Sequence, residues 1–276
     1  MNVAIVGLGL MGGSLALSLK HLDFIDNIVG SDHNEEHIKD ALRLKLVDKI
    51  VEFEEIKNFD IIFLAIPVNG IISALQNLID VNKNTTIIDL GSTKEIIVSS
   101  IPPQMRKNFV AAHPMTGTEN FGPQAAIEKL YENKVVVLCD LEESGEIQKN
   151  IAKKVFKALG MKKHFMTSHQ HDRHAAFISH MPHAISYSIA NAVMKQENKN
   201  NILALAAGGF RSMSRLAKSS PHMWEDIFRQ NKTNLLEAIT VFESELSKLK
   251  ESIANDEWEK VNKFMKEGNT LHDVLD

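Results

Sequence analysis

The sequence predicts an α/β fold: a doubly wound, mostly parallel sheet in the N-terminal part, followed by an all-helical C-terminal domain. Three observations carry this reading. A short apolar run at residues 2–6 leads into Gly7-Leu8-Gly9-Leu10-Met11-Gly12 and then into a helical context holding Leu15, Leu17 and Leu19. Apolar runs at 61–66, 86–90, 109–112 and 134–138 alternate with helix-like stretches, and strands alternating with helices imply a parallel sheet covered on both faces. After a last strand near 161–166 the strand patterns stop and helical periodicity continues through residue 268. A boundary near Thr167 therefore gives a domain at 1–167 and a helical domain at 168–276.

The first strand, turn and helix have the Rossmann-type pattern. Gly7 permits the tight turn, Gly9 lets the backbone approach a pyrophosphate, and Gly12 allows close helix-strand packing. The free amides at the helix start, around Leu10 and Met11, face the phosphates. A second strand, Asn27-Ile28-Val29-Gly30-Ser31, ends in Asp32, twenty positions after Gly12. A carboxylate there accepts from a ribose 2′-hydroxyl and repels a 2′-phosphate, which favours NAD over NADP. The alternative is a surface aspartate capping the helix that starts near Asn34.

Ligands of such sheets bind beyond the carboxyl ends of the strands. Pro67, Gly91-Ser92 and His113-Pro114 each follow an apolar run and fall at such ends. Ser92-Thr93-Lys94-Glu95 also fits a capping box, so a helix cap is the plainer expectation for Ser92. Pro114 holds His113 extended. A histidine so placed is either a solvated bystander or a base that titrates near neutrality. Cys139 follows an apolar run and reads as a buried strand thiol.

Five of the twelve histidines fall between His169 and His183. Pro182 interrupts the i, i+3 pair His180 and His183 and argues for a helix start or kink there, and there is no HExxH arrangement, so no metal site is expected. Ser220 before Pro221 is a good N-cap, which puts Trp224 in a helix's first turn, where core packing is its ordinary role. Arg215 can clamp a carboxylate through two parallel hydrogen bonds. Leu235, Ile239, Phe242, Leu246, Leu249 and Ile253 repeat as a heptad seam, either packed within its own domain or pairing two chains into a homodimer. Trp258, Val261 and Met265 mark a last amphipathic helix.

With 44% hydrophobic residues and a net charge of -4, the chain reads as globular, with no basic footprint for nucleic acid or an anionic membrane. No apolar run approaches the ~20 residues of a membrane span. The first residues run straight into a strand without a signal-like segment, so a cytoplasmic protein acting on a small molecule is expected.

In order and spacing, the glycine loop, Asp89-Leu90-Gly91-Ser92-Thr93-Lys94, His113-Pro114-Met115-Thr116-Gly117-Thr118-Glu119, Ile178-Ser179-His180-Met181-Pro182-His183 and residues 210–224 resemble the prephenate dehydrogenases of tyrosine biosynthesis. The resemblance implies an NAD-dependent enzyme that removes hydride from the hydroxyl-bearing ring carbon of prephenate while the ring carboxylate leaves as carbon dioxide, giving 4-hydroxyphenylpyruvate. It implies that His113 is the catalytic histidine, that Ser92 bonds the ring hydroxyl and helps place the nicotinamide, and that Pro67 lines the cofactor. It further implies that Arg215 and His183 bind carboxylates, that Thr118 and Glu119 line the cleft with Glu119 tied to an arginine, that Trp224 borders the substrate, and that the helical domain makes a homodimer. Some relatives carry an acidic residue where this chain has Ser212, which puts that position's pairing in doubt. Neither a chorismate mutase domain nor an ACT domain is expected. Three other readings stay open: arogenate or cyclohexadienyl dehydrogenase; a 3-hydroxyacid-type dehydrogenase, for which Lys218 is the candidate acid/base; and a non-catalytic NAD sensor.

Overall fold

Strand β1 (Asn2–Val6) is the axis of the sheet. It pairs in parallel with β2 (Asn27–Ser31), which in turn pairs with the two-residue β3 (Lys49–Ile50). On its other side lie β4 (Ile61–Leu64), β5 (Thr86–Asp89) and β6 (Phe109–Pro114), all parallel. Strand β7 (Val135–Cys139) runs antiparallel to β6, and β8 (Lys162–Met166) runs parallel to β7. The order is β3-β2-β1-β4-β5-β6-β7-β8 in one eight-stranded sheet. A computed structural model of the chain describes residues 1–196 and 198–275.

Both faces of the central strands are apolar because both are covered. Successive residues of β1 divide between two cores, Val3 and Ile5 in one, Ala4 and Val6 in the other. Helices α1 (Leu10–Leu19), α2 (Glu35–Arg43) and α5 (Glu146–Ala158) contribute to the first core. Helices α3 (Val68–Asn77) and α4 (Glu95–Ser99) contribute to the second. That division is the doubly wound arrangement. Two elements depart from expectation: β3 is too short for an apolar run to announce it, and β6 continues through His113 and Pro114 because β7 pairs with both.

Helix α6 (Ser168–Ala175) starts at Thr167, whose side chain forms a capping box with Gln170. It passes into a π-helical turn, Ala176–His180, and then into α7 (Met181–Met194), which carries Pro182 in its first turn. A proline cannot donate to the preceding turn, so the helix changes its winding there rather than ending. Helices α8 (Lys199–Ala204), α9 (Gly208–Ser214) and α10 (Pro221–Gln230) follow, with Ser220 capping α10 through the amide of Met223.

The chain forms two compact units, Met1–Asn231 and Lys232–Asp276. The second is built on α11 (Lys232–Ala254) and α12 (Trp258–Asn269), which pack together, with the short α13 (His272–Leu275). Along the heptad stripe of α11, Leu235 is buried whereas Leu246 and Ile253 are 52% and 46% exposed.

Candidate active site

The glycine loop shows why each of its glycines is needed. Gly7 has φ +92°, and a Cβ there would lie 2.5 Å from the Ala65 carbonyl oxygen; at Gly12 it would lie 1.8 Å from the Gly7 carbonyl oxygen. Gly9 has no such packing reason, since a Cβ there would meet nothing within 4 Å. Gly9 is the N-cap of α1, no side chain caps that helix, and the open space therefore lies in front of the amides of Leu10 and Met11. A pyrophosphate fits this cradle. The Tyr131 hydroxyl donates to the Met11 carbonyl at 2.7 Å and steadies the turn from behind.

Asp32 follows β2, and its side chain is 5% exposed. Its carboxylate accepts from the amides of Leu8 at 2.8 Å and Asn34 at 2.9 Å. The N-cap of α2 is Asn34, which accepts from the amides of Glu36 and His37, so Asp32 is not that helix's cap. It ties the end of β2 to the glycine loop.

Pro67 is the N-cap of α3, directly after β4. Ser92 lies between β5 and α4, and the structure corrects its expected role as a cap. The first amides around α4 are taken by Asp172, whose two carboxylate oxygens accept from Lys94 N at 2.7 Å and Glu95 N at 2.9 Å. The Ser92 hydroxyl has no hydrogen-bond partner among the described residues.

His113 and Asp172 belong to one relay. His113 Nδ1 lies 2.8 Å from His171 Nε2, and His171 Nδ1 lies 2.7 Å from Asp172 Oδ1. His171 and Asp172 are each 2% exposed. Burial pushes the Asp172 carboxyl up, but hydrogen bonds from His171, Glu95 N and Lys94 N outweigh it and hold the group below its ordinary value. An ionised Asp172 only accepts, so His171 carries its proton on Nδ1 and presents a lone pair at Nε2. His113 then carries its proton on Nδ1, which leaves Nε2 as an acceptor. Burial, with His171, Lys94 and His180 adding to it, lowers the His113 pKa well below 6.5 and keeps the ring neutral. The result is an imidazole oriented and charged as a proton acceptor.

A second group of rings adjoins it. The Asn231 side-chain amide donates to the Asp172 carbonyl at 2.7 Å and sits 3.1 Å from His180 Nδ1. His180 meets Trp224 edge-on, and His183 stacks on Trp224 with centroids 3.5 Å apart. Trp224 is buried, as core packing predicts, yet its indole Nε1 is buried without a hydrogen-bond partner. His183 Nδ1 accepts from no backbone amide; it donates to the Ser179 carbonyl at 2.9 Å, which directs Nε2 away from its own helix.

Arg215 opens the 3-10 turn Arg215–Lys218, held to α7 by Ala217 N donating to Ser186 Oγ at 3.1 Å and Tyr187 OH donating to the Ser219 carbonyl at 2.8 Å. Its guanidinium reaches Glu119 at 3.4 Å and is 54% exposed, so a carboxylate can approach it from solvent. Its charge also lowers the His183 pKa, after burial. Thr118 is exposed on the same loop as Glu119 and accepts from Asn120 N. Lys218 and Ser212 are exposed.

His171, His180 and His183 are taken up in these internal contacts, and no group of three or more ligating side chains among the described residues could hold a metal ion. No described helix is long and apolar enough to cross a membrane. Cys139 is buried, and burial pushes its thiol up to about 12. Sequence reasoning missed His171, Asp172 and Asn231. A signal was present: α6 buries Ser168, His171, Asp172 and Ala175, a helical stripe at core spacing filled largely by polar groups.

Fold and site together define a nucleotide-dependent dehydrogenase. The chain belongs to the prephenate dehydrogenase family: residues 15–164 match the model described as "Prephenate dehydrogenase, nucleotide-binding domain" and residues 167–267 that described as "Prephenate dehydrogenase, dimerization domain". It is 30% identical to the prephenate dehydrogenase of Bacillus subtilis, over 99% of this chain and 76% of that protein. It is also 30% identical to the cyclohexadienyl dehydrogenase of Zymomonas mobilis, over 99% and 98%. The crystal structure of prephenate dehydrogenase from A. aeolicus in complex with hydroxyphenyl propionate and NAD+ superposes with a TM-score of 0.92 at 32% identity, covering 100% of this chain and 98% of that one.

Proposed function

We propose that this chain catalyses the NAD-dependent oxidative decarboxylation of prephenate to 4-hydroxyphenylpyruvate. The observation that carries the proposal is the His113–His171–Asp172 relay, which fixes a neutral imidazole as an acceptor at the carboxyl end of β6. NAD, when bound, supplies the acceptor for the hydride leaving the ring carbon. Gly7, Gly9, Leu10, Met11 and Gly12 hold its pyrophosphate, Asp32 its ribose, and Pro67 and Ser92 the nicotinamide end. His113 Nε2 takes the ring hydroxyl's proton, and the unpartnered Ser92 hydroxyl bonds the same oxygen. Arg215 and His183 bind the substrate carboxylates, Glu119 and Thr118 organise that loop, and Trp224 walls the site and orients His183. Loss of carbon dioxide makes the ring aromatic and drives the reaction, and the oxygen, now phenolic, takes its proton back from His113, so the protein's contribution is placement and one proton held and returned.

The same reading takes residues 1–167 as the NAD domain and 168–276 as the substrate and dimerisation domain of a cytoplasmic homodimer. The half-exposed heptad stripe of α11 supports the pairing. The test is NADH formation at 340 nm with prephenate and with arogenate, each with NAD and NADP. Turnover of prephenate with NAD is expected, and arogenate is the second substrate to compare. Absence of turnover with both while NAD binds would overturn the reading.

A further inference from the structure

Asp89 and Lys94 form an ion pair in which both side chains are 0% exposed, beneath the strand end that carries His113. A buried ion pair is expensive, and apolar side chains of similar volume usually serve stability as well or better. Folding alone therefore does not account for it.

Its bonds are directed at one place. Strand β5 ends at Asp89, paired with Ala111 of β6, while β6 runs on to Pro114. The next peptide of β6 would face an empty edge. Instead Asp89 Oδ1 accepts from Ala112 N at 3.2 Å, and Lys94 Nζ donates to the Ala112 carbonyl at 2.8 Å, so the two side chains complete the missing rung immediately before His113. Asp89 Oδ2 also accepts from Gly91 N at 3.0 Å and from Lys94 Nζ, which fixes the turn carrying Ser92. Burial pushes the Asp89 carboxyl up, but every partner it has is a donor, the pattern of an ionised carboxylate. The Lys94 amide, meanwhile, donates to Asp172 of the relay.

We propose that Lys94 is a positioning residue for the reaction: its ammonium and its backbone amide lock the Ser92 turn, the His113 strand end and the Asp172 relay into one unit. The assignment of His113 as acceptor is the reading on which this rests. The groups facing His113 are His171 from α6, His180 from the π-helical turn and Lys94 from the turn before α4, with Asp172 and Asp89 one contact further out.

The experiment measures kcat and KM for Lys94→Met, Lys94→Arg and Lys94→Met/Asp89→Asn, together with melting temperatures and the NMR signals of the histidine rings in the full-length protein, with His113 assigned by its absence in His113→Asn. Because a lone buried Asp89 endangers folding in Lys94→Met, the double variant, which leaves no unpaired charge, is the decisive one. It is expected to fold, to lower kcat about tenfold or more while the KM for NAD stays put, and to move the His113 ring signals. Lys94→Arg, which keeps a charged donor for Asp89, should restore part of kcat. A folded double variant with wild-type kcat and unmoved His113 signals overturns the role of Lys94. If the His113 signals move as expected but the wild type does not turn over prephenate, the positioning stands and the proposed substrate falls.

Discussion

His113 Nδ1 and His171 Nε2 lie 2.8 Å apart, and only one of the two nitrogens can carry the proton between them. Asp172 decides which, because its carboxylate requires the His171 proton on the far nitrogen. Asp172→Asn removes that requirement and places an amide NH2 opposite one of the backbone amides of Lys94 and Glu95. Its expected effect is a kcat lower by roughly 10²–10³, as for other carboxylates that set a catalytic histidine's tautomer. The KM for NAD should change little. A normal kcat in this variant would remove the relay from the mechanism.

The pH profile follows from the same geometry. Only neutral His113 accepts a proton, and burial together with His171, Lys94 and His180 holds its pKa well below 6.5. On acidification kcat should therefore stay level through pH 6.5 and fall only below it. A limb centred at or above 6.5 would show that His113 is not held neutral in the complex.

The sheet was legible in the sequence because its strands are apolar on both faces and its glycines have steric causes: Gly7 and Gly12 abut backbone that admits no Cβ. The relay was not legible. Ser92 reads as a cap because capping boxes are local, yet the groups that accept the amides of Lys94 and Glu95 come from Asp172, 78 and 77 positions away. Histidines clustered in sequence suggest metal chemistry, whereas here His171 bonds His113 across 58 positions and His180 meets Asn231 across 51. Periodicity shows which face of α6 is buried, but it does not name the partner waiting on the other side. Lys94 is a comparable case: a lysine in a turn ordinarily reads as solvated, and its complete burial follows from an aspartate at the end of a neighbouring strand.

Under the proposed function Arg215 clamps a substrate carboxylate. In Arg215→Ala the KM for prephenate should rise about tenfold, the lower end for a charge-assisted pair because half of the side chain is exposed. The KM for NAD should be unchanged; equal effects on both ligands would point to a folding defect. Glu119→Gln leaves the arginine without its resting partner and should weaken prephenate binding less than Arg215→Ala does.

Acid sensitivity of the fold should trace in part to His180, beside His113. Burial lowers its pKa from 6.5 to about 4, so the folded state holds the ring neutral while the unfolded chain takes up a proton below pH 6.5. Its contribution is present in full above that pH and is lost as the pH falls toward 4, a change of about 3 kcal/mol. His180→Gln keeps an acceptor for Asn231 but cannot titrate. Melting temperatures measured from pH 7 to pH 4 should fall less in this variant than in the wild type; parallel curves would mean that other groups govern the acid limb.

Asp32 joins an observed tie to a proposed role, and a single substitution should separate them. Its carboxylate accepts the Leu8 amide inside the glycine loop, and under the proposed function it also opposes a 2′-phosphate. Asp32→Ser removes the charge yet keeps a short acceptor within reach of the loop. The Kd for NADP, followed by protein fluorescence, should fall while that for NAD rises, so that the preference narrows by roughly tenfold, the value of about one charge-assisted hydrogen bond. Asp32→Ala should narrow it equally but also lower the melting temperature, because the Leu8 amide then loses its partner in a buried turn. An unchanged preference in both variants would assign cofactor choice to another part of the site, with Asp32 left as the anchor of the loop alone.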